Sequence, residues 1–249
     1  LSNCVACIYF FVLLYVRRRS TFVCVLPHKF SLERAVVLGI CAVGIPAAIQ
    51  NLLNVTGMTI LNNFTSSFGA DAVAAMGITQ KLNMVPMQVA LGFSQGIMPL
   101  ISYNYASGNI KRMKEGLLFV ARIMLPFITT VALLYYLGAG SLIGAFMKND
   151  AIIAYGSRFL RGFCLGLPFI CMDFLAVGVF QAIGLGKAAL LFAVLRKIAL
   201  EIPALYILNF LFPLYGLAYA QFTAEFVLAA AAVVMLGRIF GRLQKGQRI

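Results

Sequence analysis

The stretch FLRGFCLGLPFICMDFLAVGVFQAI, Phe159–Ile183, decides how the rest of the chain is read. It is long enough to cross a bilayer, which takes about 20 consecutive apolar residues. Its only charged residues are Arg161 near one end and Asp173 beyond the middle. A helix this apolar on every side lies either in the core of a large protein or in a membrane. Of 249 residues, 62% are hydrophobic and 11% charged, against about a quarter charged in soluble domains, so the chain cannot cover such a core with a water-facing surface. The membrane reading is the one that remains.

Comparable runs flank it at Leu1–Tyr15, Val36–Asn62, Ala72–Tyr103, Gly116–Leu137, Ala188–Phe210 and Tyr215–Leu236. Roughly seven spans of about 20 residues account for most of the chain and leave short connections. The expected class is all-α, a polytopic helical membrane protein. Disordered, collagen-like and disulfide-stapled chains are excluded by the apolar content and by the scatter of the 6 cysteines among apolar runs.

The net charge of +13 sits at the junctions between spans. Sixteen basic residues fall at one set of alternate junctions, among them Arg17–Arg19, Lys111, Arg112, Lys187, Arg196, Lys197, Arg238 and Arg242, whereas Lys148, Arg158 and Arg161 fall at the other. That asymmetry places the basic junctions and the C-terminus in the cytoplasm, and the expected location is the cell membrane. Nucleic-acid binding needs basic residues gathered on one face, and here they punctuate apolar runs, so no nucleic-acid partner is expected and the lipid bilayer is.

The chain opens on Leu1 inside an apolar run, and its first basic cluster follows that run, unlike the basic start of a signal peptide. This reads as a chain cut inside a larger protein. Residues 17–35 form a cytoplasmic linker containing Pro27, with Ser31 as a candidate helix cap. Thr65–Asp71 is a tight outer turn with Asp71 suited to cap the next helix, and Gly108-Asn109 marks an inner turn. Leu137–Arg158 is a longer outer connection, amphipathic around Phe146–Tyr155.

Polar residues inside the spans carry the functional reading, because hydrocarbon penalises them. Lys81, Gln88, Gln95 and Ser102 recur every seven residues and share one helical face, expected to meet the bundle interior or a wet cavity. Asn51, Asn54, Met58 and Asn62 share a face of the preceding span, whose start carries Gly44 and Pro46. Asp173 is an isolated intramembrane acid that can exchange a proton or hold Na⁺, and Glu225 is a second one. Glu201 follows Lys197 by four residues and is expected to pair with it. The packing alternative for all these groups is hydrogen bonding between helices. Gly92/Gly96 and Gly162/Gly166 are spaced for close helix contacts. His28 is the single histidine, and Cys4/Cys7 and Gly184–Lys187 lack the context of a metal site or phosphate loop, so neither an enzyme nor a metal site is expected.

Gly44-Ile-Pro46, PLISYNYASGNIKR (Pro99–Arg112), QAIGLGK (Gln181–Lys187), Arg196 seven residues before Pro203, and YGLAYAQFTAE (Tyr215–Glu225) occur in the order and spacing of the C-terminal half of the MATE (multidrug and toxic compound extrusion) transporters, which the chain resembles along essentially its whole length. The resemblance implies a two-lobe transporter. Residues 1–16 would end a preceding helix, 17–35 would be the interlobe loop, 36–236 a six-helix C-lobe and 237–249 a basic tail. It further implies export of small amphipathic or cationic drugs in exchange for H⁺ or Na⁺ by alternating access, with no cofactor beyond the coupling ion and with a missing N-terminal lobe as partner. Asp173 matches the acid that some members carry in the tenth helix for coupling. Those members carry a second acid in the seventh helix, where this chain offers Gln50, Asn51, Asn54, Asn62 and Asn63. On this reading Asp173 couples the ion, and Asn51, Asn54, Lys81, Gln88, Gln95 and Glu225 line the cavity. A flippase of lipid-linked precursors and a non-transporting membrane scaffold are the alternatives.

Overall fold

A computed structural model describes residues 2–16 and 33–244. Every regular element among them is helical: α1 (Ser2–Val16), α2 (Arg34–Ser66), α3 (Ala70–Ala106), α4 (Ile110–Leu137), α5 (Ala139–Phe146), α6 (Asp150–Ala182), α7 (Gly186–Val194), a π-helical segment (Leu195–Glu201), α8 (Ile202–Leu211) and α9 (Gly216–Gln244). They fall into two compact units, residues 1–42 and 43–249, and the second carries the bundle. The expected linker with Pro27 and Ser31 lies outside the described residues, save for its last three.

Five of these helices, α2, α3, α4, α6 and α9, are long and apolar enough to cross a membrane. The sixth expected span, Ala188–Phe210, is present as one helical path over residues 186–211, interrupted by the π segment. The fold class is therefore the expected one, a polytopic helical membrane protein. The helices run past the expected limits at several ends, most of all at α6, which begins at Asp150 rather than Phe159. Asn149 explains that start: its side-chain oxygen accepts from the backbone N–H groups of Ala151 and Ile152, and Asp150 faces the helix N-terminus. The amphipathic stretch expected around Phe146–Tyr155 is consequently split, with Phe146 ending the short α5 and residues 150–155 opening α6.

Asp71 does not cap α3. The cap position is Gly69, at φ 101, with no side-chain bond, and Asp71 lies one residue inside the first turn, where a carboxylate still favours the positive helix end. The inner turn is as expected: Asn109 accepts from the N–H of Arg112, and Gly108 takes φ 74, a left-handed conformation that only glycine adopts without strain.

α6 is the axis of the bundle and packs against α3, α4, α5, α7 and α9. Its side chains Phe159, Leu160, Leu167, Ile170, Leu175 and Phe180 are among the most deeply buried in the protein. Small residues set its separation from its neighbours. A Cβ added at Gly162 would stand 2.7 Å from Cβ of Ala218 on α9, and one at Gly178 would collide with Oγ of Ser94 on α3. Gly92 and Gly96, by contrast, meet no atom within 4 Å and border an open apolar groove of about 550 Å³ with Phe93, Leu100 and Phe119, so that pair is not a helix contact. Gly162→Ala is expected to cost about 1–3 kcal/mol by overpacking. A lowered thermal unfolding midpoint in detergent checks it, with Gly92→Ala as the control that leaves the midpoint in place.

Candidate functional site

The π segment is where the bundle becomes polar. In an α-helix, residues five apart point about 140° away from each other. A π turn takes one extra residue per turn and brings them back together. The N–H of Ile202 reaches the carbonyl of Lys197, five residues back. Arg196 and Glu201 are thereby both turned inward, 5% and 7% exposed.

Arg196 is the centre of a buried charge cluster. Its Nη1 donates to Oδ2 of Asp173 at 3.2 Å, and its Nη2 donates to Oδ1 of Asn54 at 3.3 Å. Its Nε lies 3.3 Å from Oε1 of Glu225. Two guanidinium nitrogens thus hydrogen-bond to acceptors on α6 and α2 and the third faces a carboxylate on α9, a spread that a planar fork suits better than the single nitrogen of an ammonium. The guanidinium also lies over the ring of Phe174, 5.7 Å from its centre. Asp173 is 2% exposed and Glu225 fully buried. Oδ1 of Asp173, both carboxylate oxygens of Glu225 and Nε of Arg196 have no hydrogen-bond partner among the described residues, so the Arg196–Glu225 contact is an ion pair without a hydrogen bond. Next to this cluster Lys197 Nζ donates to Glu201 at 2.6 Å, the pairing expected from their spacing. Gly57 on α2 makes room for that lysine: a Cβ there would stand 3.1 Å from Nζ.

Arg196 and Lys197 are accordingly not junction residues that orient the chain. They sit midway along the helical path over residues 186–211, held by buried acids. The charge asymmetry of the junctions survives without them. The backbone of α6 beside Asp173 is itself held, because Ser94 of α3 donates to the carbonyl of Phe174 at 2.6 Å.

A cavity of about 340 Å³ opens beside the cluster. Asn51 and Asn54 of α2 line it, as does Gln88 of α3. Gln80, Asn83 and Gln221 add amides, Met58, Met84 and Met87 add thioethers, and Arg196, Lys197 and Glu201 form the charged part of the wall. Lys81 and Gln95 do not line it. Both are exposed, because the buried seam of α3 runs through Met76, Thr79, Asn83, Ala90, Ser94 and Ile97, on the opposite side of the helix from the expected stripe. Glu225 does not line it either, since it lies fully buried against Arg196. Asn62, at the end of the α2 face, accepts from Gln80 at 3.3 Å.

The architecture is that of solved MATE structures. One in the straight conformation superposes with a TM-score of 0.87 at 20% identity, over 97% of this chain and 55% of that one. The Vibrio cholerae MATE transporter VcmN in the bent form gives 0.81 at 17% identity, over 94% and 53%. At the sequence level the multidrug export protein MepA of Staphylococcus saprophyticus is 30% identical over 244 residues, which is 98% of this chain and 53% of that protein. MepA of Staphylococcus haemolyticus is 31% identical over 245 residues, again 98% and 53%. The chain spans about half the length of these relatives. The sequence model of the family described as MatE matches residues 46–207, which include Asp173 and the π segment, and the chain belongs to that family.

Proposed function

We propose that this chain is the second lobe of a secondary antiporter that exports amphipathic or cationic drugs in exchange for H⁺ or Na⁺ by alternating access. The observation that carries the reading is the buried Asp173–Arg196–Glu225 cluster set beside a cavity large enough for a small molecule. Fixed charges at that depth are expensive and face ion pathways where they occur. The cavity volume lies within the range of about 300–1,000 Å³ typical of ligand pockets. Its methionines and the rings of Phe163 and Phe174 offer polarisable, adaptable surface to varied apolar groups, while its amides offer both donors and acceptors. The similar staphylococcal proteins bear the name multidrug export protein.

Relatives with an acid in the helix corresponding to α2 would place two carboxylates across the cavity. Here α2 supplies the neutral acceptor Asn54, and the second carboxylate, Glu225, comes from α9. Coupling through Asp173 therefore runs by way of α9. The junctions at the α3–α4 turn, at the α6–α7 turn and at the end of α9 carry Lys111, Arg112, Lys114, Lys187, Arg238 and Arg242, which supports a cytoplasmic C-terminus in the cell membrane.

Everted vesicles containing the full-length protein test the proposal. An imposed H⁺ or Na⁺ gradient is expected to drive ethidium across the membrane, and an ionophore that collapses the gradient is expected to stop it. Dye movement indifferent to both gradients would sink the exchange reading.

A further inference from the structure

The charges around the π segment do not balance. Arg196 and Lys197 supply two positive charges, and Asp173, Glu201 and Glu225 supply three negative ones: Lys197 and Glu201 form a balanced pair of their own, and Arg196 faces both Asp173 and Glu225. Cys171 on α6, a thiol on which the Glu225 carboxylate acts, supplies no positive charge to correct the difference. From α2 the contact is the neutral Asn54, and from α3 Ser94 holds the carbonyl of Phe174 while the uncharged Gln80, Asn83 and Gln88 line the adjacent cavity. A surplus negative charge in a water-poor interior is so unfavourable that it is neutralised or finds a partner. Oδ1 of Asp173 and both oxygens of Glu225, on the two carboxylates that border the same guanidinium, accept no hydrogen bond among the described residues, whereas Oε2 of Glu201 is faced by Lys197.

We propose that this cluster takes up one positive charge, a single proton or a single Na⁺, at the Asp173 and Glu225 carboxylates, and that Arg196 is the positioning residue that fixes the number at one. Arg196 acts as a tethered cation. It permanently occupies part of the space between the two acids, so only one further charge is needed, where two carboxylates facing each other without it would call for two. Its hydrogen bonds to Asp173 and Asn54 and its close contact with Glu225 also hold α6, α2 and α9 around the site, so uptake or release of the remaining charge is felt by three helices at once. The proposal rests on the exchanger reading for its purpose, while the uptake itself is measurable without transport.

The test is a charge count on purified full-length protein in detergent, without drug. ²²Na⁺ bound at fixed pH reads the sodium arm. The carboxylic acid C=O infrared band in Na⁺-free buffer, with its loss on raising the pH, reads the proton arm. Relative to the wild type, Glu225→Gln and Asp173→Asn each leave two positive and two negative charges, and each is expected to lose one bound Na⁺ or one protonated carboxyl per molecule. Arg196→Gln alone should gain one. The double variant Arg196→Gln/Glu225→Gln again falls one positive charge short and is expected to regain the wild-type uptake, a rescue that a purely structural role for Arg196 does not produce. Uptake unchanged in both single-acid variants, or no recovery in the double variant, overturns the proposal. Either result leaves the exchanger reading standing if gradient-driven efflux persists. Absent efflux with the charge count intact does the reverse.

Discussion

Arg196→Leu is expected to lower the unfolding midpoint of the detergent-solubilised protein more than any other single substitution, by an amount corresponding to about 3–5 kcal/mol. The reason is what it leaves behind. The leucine fills much of the space of the arginine stem, so little packing is lost. Two carboxylates, on α6 and α9, are then left with no cation in contact, and Asn54 loses its donor. Removing one member of a buried ion pair costs far more than the pair itself contributes, because the remaining charge has been taken out of water without compensation. Arg196→Lys should be milder, at about 1–3 kcal/mol, since an ammonium keeps the charge but gathers its donors on one nitrogen and cannot span acceptors placed around a guanidinium. The triple variant Arg196→Met/Asp173→Asn/Glu225→Gln, which removes the charges together, is expected to recover most of the lost midpoint. A midpoint unchanged by Arg196→Leu would show that the two acids have partners elsewhere.

This asymmetry also explains which parts of the site were legible in the sequence. Asp173 and Glu225 stand out as single letters, because an acid within an apolar run has no ordinary use. The face of α2 that carries Asn51 and Asn54 follows from spacing along one helix, and so does the Lys197–Glu201 pair. Arg196 falls inside the expected span Ala188–Phe210 and seven residues before Pro203, but neither feature names its partners, and its letter is that of the many basic residues that orient the chain. Its partners lie 23 residues away on α6 and 142 residues away on α2, and only the packed bundle brings them together. The π turn hides for a similar reason: LRKIALE has the composition of an ordinary α-helix. The extra residue in the turn is stabilised by the ion pairs it enables, which are tertiary. On α3 the seven-residue repeat of Lys81, Gln88 and Gln95 correctly identifies a common face. A repeat within one helix carries no information about which neighbour that face meets, and the seam through Asn83 and Ser94 packs inward instead.

Asp173→Asn is expected to separate folding from coupling. Asparagine keeps an oxygen where Oδ2 accepts from Arg196 Nη1 at 3.2 Å, so the hydrogen bond that ties α6 to the π segment can persist. Only the charge is removed, and the cluster then holds Arg196 and Lys197 against Glu201 and Glu225, which balances. Stability should change by less than about 1 kcal/mol, since the lost attraction is offset by the lost surplus charge. Gradient-driven efflux by the full-length protein should fall by about 5–150-fold, the span of ordinary coupling free energies between two sites. Drug affinity, read by fluorescence titration without a gradient, should stay near the wild-type value, because Asp173 lies behind Arg196 rather than on the cavity wall. The two readouts must be taken together. A fall in both would place Asp173 in the drug site, and a fall in neither would move the coupling ion out of this lobe altogether. A selective loss of the gradient's effect is the result that follows from an acid whose one contact with the cavity is an arginine shared with α9.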